Sequence, residues 1–460
     1  MKNILAAHLI CATLSSVPIQ AQGTDAANAG VVSPTRFAVD DEDEAAYVIA
    51  QAAQSQPGAA QPRSTPDAPR STAPRRSGGS PFTSTPNSFA ALNASPRSRL
   101  ASTPDMFGDF FARGGTLVAT DRLGTAAPFG ITSLADIPLA GGVRGLKIGE
   151  NNRALPTDRA YLNYNHYHNA VRVRASGVNP TPLPGAPFAP SRDLSLDHFT
   201  LGGEKSFWCG TTSLELRMPF SGGYDFDFGS GDPNGIVTVD GGSVGNLSVI
   251  AKALLYADDQ TAIAAGLGIE TPTGDDTTLR VAFTNYRIES EAFHLSPYLA
   301  VQNAYDDILF SNAFLQVDLP LGGNSFSFTS AGGLPDAGTL GVYDEQALLH
   351  VDLSLGAWLH RDPCASFVTG VASVIEVHYI TALEDTDVVA GGRATPIAPP
   401  GATFDLRNRL NRFDVVHLTT GLHTEIAEDS SLRVGLVLPL RSGESRFFDA
   451  EVLAQLTRRF

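Results

Sequence analysis

The chain has 460 residues, 48 acidic and 32 basic, and its net charge of -16 disfavours nucleic acid as a partner. Charged residues make up only 17%, while glycine and proline contribute 44 and 30 residues, a composition of frequent turns that excludes long ion-paired helices and suits an all-β chain.

Residues 1–21, MKNILAAHLICATLSSVPIQA, combine Lys2, an apolar stretch from Ile4 to Leu14 and the Ile19-Gln20-Ala21 cleavage context of a secretory signal. Cys11 lies too early in this stretch to be a lipoprotein anchor. Signal removal leaves Cys209 and Cys364, for which one bridge and two unpaired core-type residues are both open. No later run reaches the roughly 20 apolar residues of a membrane helix. The acidic run Asp40 to Glu44 leads into AAYVIAQAAQ, so the segment 22–55 is expected to be a tail with one short helix. Residues 56–104 are rich in Pro, Ser, Ala, Thr and Arg and cannot bury a core, which predicts a disordered, extended linker. In PDMFGDFFARGG, Phe107, Phe110 and Phe111 cluster, and the segment 105–140 is expected to be a plug or latch.

From residue 141 to 460 the chain repeats a two-faced pattern. In ALLHVDLSLGAWLHR, Leu349, Val351, Leu353 and Leu355 alternate with His350, Asp352, Ser354 and Gly356. NAFLQVDLPL, RFDVVHLTTGLHTEI, SLRVGLVLPL and the terminal AEVLAQLTRRF do the same, as do RGLKIGE, RAYLNYNHYHNAVRV, SFWCGTTSLELRMPF, GNLSVIAKALLYA and QTAIAAGLGIE earlier. About 12 to 14 such segments approach the ~9–11 residues that a tilted membrane strand needs. Short turns at 257–260 and 428–431 alternate with long loops at 220–243 and 384–407. Every backbone group must be paired inside hydrocarbon, so the expected fold is a closed antiparallel transmembrane β-barrel with a disordered N-terminal arm. Closure also lets the chain end on the barrel wall, with Phe460 at the interface.

The terminal strand ending in Phe460 resembles the C-terminal signature of Gram-negative-type outer-membrane β-barrels. That resemblance implies that Phe460 is an assembly signal read by the barrel assembly machinery. The stretch GNLSVIAKALLYADDQTAIAAGLGIETPTGDD, with its Pro-Thr-Gly-Asp turn at Pro272 to Asp275, is similar to transporter-like barrels grouped as the MetA-pathway of phenol degradation family, as is PTDRAYLNYNHYHN at 156–169. The implied function is passage of small molecules across the outer membrane, with lipid and a small-molecule solute as partners and no cofactor.

The polar faces nominate Glu215, Arg217, Lys252, Asp318, His350, Asp352, Glu376, His378, His417, Glu425, Asp449 and Glu451 as pore-lining, an acidic set that favours cations or neutral polar solutes. His350 with Asp352, Glu376 with His378, and His417 with His423 and Glu425 could serve a barrel hydrolase, but alternation alone places polar groups on every inner face. Neither a catalytic residue nor a metal ligand is therefore assigned. DFDFGSGDPNGIVTVDGG at 225–242 has oxygen ligands without the spacing of a calcium loop, so an ordinary external loop is expected. A further alternative is a structural barrel that anchors the Pro/Arg-rich arm.

Overall fold

The computed structural model describes residues 99–109, 114–121, 132–138, 141–142, 145–176, 192–222, 226–228, 237–281, 284–330, 337–362, 364–393, 402–407, 411–427 and 429–460. The expectations for the signal, the tail and residues 56–98 of the linker lie outside these residues, as do Phe110, Phe111 and half of the glycine-rich segment 225–242. The linker's last residues, 99–104, are by contrast ordered, because Gln302 and Asn312 of the barrel wall bond the carbonyls of Leu100 and Pro104.

Twelve strands close a barrel. In chain order the first strands are β1 (Gly114–Asp121), β2 (Thr132–Pro138), β3 (Arg159–Ser176), β4 (Arg192–Phe207), β5 (Thr212–Gly222), β6 (Phe226–Phe228) and β7 (Val237–Asp240). Next come β8 (Ser248–Ala257), β9 (Thr261–Glu270), β10 (Thr277–Val281), β11 (Thr284–Ile288), β12 (Phe293–Ala304), β13 (Leu309–Leu321), β14 (Asn324–Ser330) and β15 (Ala337–Tyr343). The chain finishes with β16 (Leu348–Arg361), β17 (Val368–Ala382), β18 (Val388–Arg393), β19 (Ala402–Arg407), β20 (Asp414–Ile426), β21 (Ser430–Pro439) and β22 (Ala450–Arg459). The ring runs β3-β4-β5-β8-β9-β12-β13-β16-β17-β20-β21-β22 and returns to β3. All its pairings are antiparallel, and the closing register sets Leu453 opposite Asn165 and Gln455 opposite Asn163.

Alternation in the sequence becomes inside and outside in the barrel. On β16, His350, Asp352 and Ser354 are buried, whereas Leu353 and Leu355 are 55% and 52% exposed. On β21, Arg433 is buried while Val434, Leu436 and Leu438 face out. A wall with leucine outside and charge inside is the inverse of a water-soluble barrel and matches a hydrocarbon surround. The chain is a transmembrane β-barrel.

The two rims differ. At one, consecutive wall strands are joined by short turns built on aspartate: Asp258 accepts from the backbone N–H of Gln260 and Thr261 at 2.8 and 2.7 Å, and Asp306 from Ile308 and Leu309 at 2.7 Å each. An aspartate that bonds its own backbone a few residues on fixes a tight reversal. At the other rim the connections lengthen. They carry the six-stranded sheet β15-β14-β11-β10-β7-β6, while β1, β2, β18 and β19 extend the wall sheet beyond β3. The expected long loops at 220–243 and 384–407 are therefore partly strand, because each folds back on itself as a strand pair and its second strand also pairs with another segment, β7 with β10 and β19 with β1. The Pro-Thr-Gly-Asp turn belongs to this rim, where Asp275 accepts from the N–H of Ser243 and Val244, and its carbonyl accepts from Gly141 N at 2.9 Å.

RGLKIGE was expected to be a strand and is not one. Residues 145–150 run inside the barrel, where wall side chains replace ladder partners: Ile148 N donates to Gln316 Oε1 at 2.8 Å and Gln316 Nε2 donates to Leu146 O at 2.7 Å. Its alternating pattern is too short to distinguish a strand from an extended segment bonded by side chains.

Candidate lumen site

Two inner segments fill the described lumen. The first, 99–109, and the second, 145–157, meet where Met106 N donates to Asn152 O at 2.9 Å, and Leu100, Met106, Phe107, Ile148 and Leu155 are all buried there. The first segment turns at Gly108, whose φ of +84° and close approach to Glu150 leave no room for a Cβ. That turn presents the N–H groups of Phe107 and Gly108 to the two oxygens of Glu376, at 2.8 and 2.9 Å. Gln455 Nε2 donates to Phe107 O at 2.9 Å, and the Phe107 ring lies against Gly421 on β20.

Beside Gly108, Asp109 joins both inner segments to the wall. Its carboxylate pairs with His417 Nδ1 at 2.7 Å and lies 3.6 Å from His378 Nδ1, and it accepts from the Lys147 ammonium of the second segment. Lys147 also reaches Asp352 at 2.7 Å, and Asp352 pairs with His378 at 2.9 Å. Strand register explains the convergence: Asp352, His378 and His417 stand directly opposite one another on β16, β17 and β20. Asp109, Asp352 and His378 offer ligand atoms within 4.8 Å of one another, the geometry of a small cation site. Lys147 already contributes the positive charge between the two carboxylates.

Towards the short-turn rim the lumen becomes basic. Asp105 faces four guanidinium groups, those of Arg153, Arg159, Arg433 and Arg459, at 3.3, 3.4, 3.8 and 3.6 Å. Arg433 Nη1 also donates to the carbonyls of Asp105 and Met106 at 2.8 and 3.1 Å. Nearby wall pairs are tighter: Arg159 Nε to Glu204 at 2.8 Å, Arg217 Nε to Glu215 at 2.8 Å, and Lys252 Nζ to Glu204 at 3.0 Å.

Of the residues nominated from sequence, Glu215, Arg217, Lys252, Asp318, His350, Asp352, Glu376, His378, His417 and Glu451 are buried on the inner wall. Glu376, His378, Asp352 and His417 converge on the first inner segment, whereas Asp318 lies near His294 and Glu451 accepts from Asn165 at 2.7 Å. Both ring nitrogens of His350 lack a hydrogen-bond partner among the described residues. Glu425 and Asp449 are only half-buried, and Asp449 precedes β22, where it pairs with Arg446 at 3.0 Å. Phe107 is buried in the lumen, while Phe460 is 79% exposed at the short-turn rim; the free Cys209 and Cys364 are exposed in their turns rather than packed as core-type residues. Phe448, just before the terminal strand begins, is buried against Tyr167 and His417.

Sequence inspection missed Asp105, Asp109, Lys147, Arg153, Arg159, Glu204 and Arg433 as members of one lumen network. A signal was present for some of them: Asp105 and Asp109 bracket the Met-Phe-Gly kink, and Asn151-Asn152 interrupts alternation between Lys147 and Arg153. Lys147, Arg153, Arg159 and Arg433 are accompanied by the acids Asp105, Asp109 and Glu204, so the basic character they bring is local to the short-turn rim rather than a reversal of the acidic set.

No protein-family model and no curated protein matches the chain. Among solved structures, an outer membrane channel from Pseudomonas putida F1 is 11% identical, with 69% of this chain and 100% of that one covered at a TM-score of 0.41. The Pseudomonas putida toluene transporter TodX is 10% identical, covering 66% and 88% of the two chains at 0.32, and the NanC porin 8% identical, covering 66% and 98% at 0.33.

Proposed function

We propose that this protein is an outer-membrane channel for small solutes, exported by its N-terminal signal, and that passage requires the segments 99–109 and 145–157 to shift within the lumen. The observation that carries this reading is the inner wall itself. A barrel kept only as a membrane anchor has no need of an inward face dense with charge, whereas a solute path does. The first inner segment is held to that face by reversible side-chain bonds, chiefly those of Glu376 and Gln455, and its one backbone bridge is to the other inner segment. The Pro272 to Asp275 turn supports placing the chain with the MetA-pathway transporter-like barrels, and the exposed Phe460 supports its role as an assembly signal.

Single-channel recording in planar bilayers tests the proposal. The wild-type chain should show brief openings, and Glu376→Gln, which weakens two charge-assisted bonds, should raise the open probability about tenfold. A heat-modifiable barrel that stays silent in both forms would exclude the channel and favour an anchor for the preceding arm.

A further inference from the structure

The pairing around Asp105 is looser than that of the neighbouring wall ion pairs. Wall ion pairs such as Arg159 with Glu204 and Arg217 with Glu215 close to 2.8 Å, the distance of a charge-assisted hydrogen bond. Asp105 meets its four arginines only at 3.3 to 3.8 Å. Its Oδ1 has no hydrogen-bond partner, and neither do Nε of the fully buried Arg433 nor Nε and Nη2 of Arg459. His423, opposite Arg433 in register, likewise has two unpartnered ring nitrogens. A buried guanidinium donor left unmade is costly, and a natural lumen keeps one where something else completes it.

Asp105 is tethered by its own backbone, which Arg433 holds through two carbonyls, so its short side chain cannot move further into the cage. A free carboxylate is under no such constraint and can meet the open donors of Arg433 and Arg459, while Arg153 and Arg159, already bonded to Thr157, Glu204 and Glu215, add their charge. The cage is also reachable, because Arg459 is partly exposed at the short-turn rim.

We propose that Arg153, Arg159, Arg433 and Arg459 form a carboxylate-binding subsite of the pore, and that Asp105 is its resident stand-in, displaced when a small carboxylate-bearing solute enters. The proposal rests on the channel reading and names its solute class. Displacement of Asp105 would loosen the first inner segment, so solute binding and opening are linked through one side chain.

Titration calorimetry with succinate tests this on the purified full chain in detergent. Asp105→Ala should bind succinate at least about tenfold more tightly than wild type, and adding Arg433→Gln should abolish the gain. A folded Asp105→Ala barrel that binds succinate no better than wild type overturns the proposal. The wild-type chain provides a second test that does not depend on that variant folding. Succinate, compared with sodium chloride at equal ionic strength, should speed amide exchange in 99–109, and the rim variant Arg459→Gln should suppress the effect; equal exchange in both salts overturns the proposal. Bilayer recording separates the two claims. Openings without any succinate effect leave the channel and remove the subsite, whereas succinate binding in a silent barrel leaves the subsite and removes the channel.

Discussion

Gly421 shows how one missing side chain shapes the lumen. A Cβ there would stand 2.6 Å from the Phe107 ring and 2.6 Å from the Val434 carbonyl, and the latter is backbone that cannot swing away. Gly421→Ala should therefore cost about 1–3 kcal/mol, as overpacking does, and should expose the first inner segment to protease. Gly222→Ala, where a Cβ would meet nothing within 4 Å, is the control and should leave both unchanged. Denaturant midpoints in lipid vesicles and cleavage of the folded barrel check the pair. At this scale alternation separates buried from exposed side chains along a strand, as on β16 and β21. It could not tell what they touch: the partner of Glu376 lies 268 residues away, and only closure of the ring brings the two together.

The short turns are the elements whose chemistry is most local, and they were correspondingly readable. Asp306 shows the consequence of that chemistry. The N–H groups of Leu309 and Ile308 hold its carboxyl below the usual carboxylate range. A group depressed in the folded state stabilises it above its unfolded value of about 3.9, and that contribution is lost as the pH falls through the lower folded value. The β12–β13 turn should thus stay closed at pH 5 and loosen in stronger acid, seen as faster exchange of the Ile308 and Leu309 amides; Asp306→Asn, which keeps an acceptor without the charge, should flatten that dependence. The inner segments are the opposite case. Residues 99–109 and 145–157 form no ladder with the wall, so the short alternation in RGLKIGE misleads and nothing marks the first segment, and their backbone groups are bonded by Gln316, Gln455, Glu376 and Arg433 from distant strands.

For the molecule as a whole, the inversion of polarity fixes its solvent. Leu355, midway along β16, and Leu440, just past the end of β21, are comparably exposed at 52% and 57%, so exposure alone predicts the same cost for a charge at either position. Depth predicts otherwise. An arginine at the bilayer midplane costs about 2–4 kcal/mol, and one near the interface about 0–1 kcal/mol, because its long stem lets the guanidinium reach water. Leu355→Arg should lower the folding free energy in lipid vesicles by the larger amount and Leu440→Arg by the smaller. In detergent micelles, whose apolar layer has no fixed thickness, the gap between them should shrink. Equal costs in vesicles would mean that this outward face does not span a bilayer at all, and the barrel's charged interior would then need another explanation.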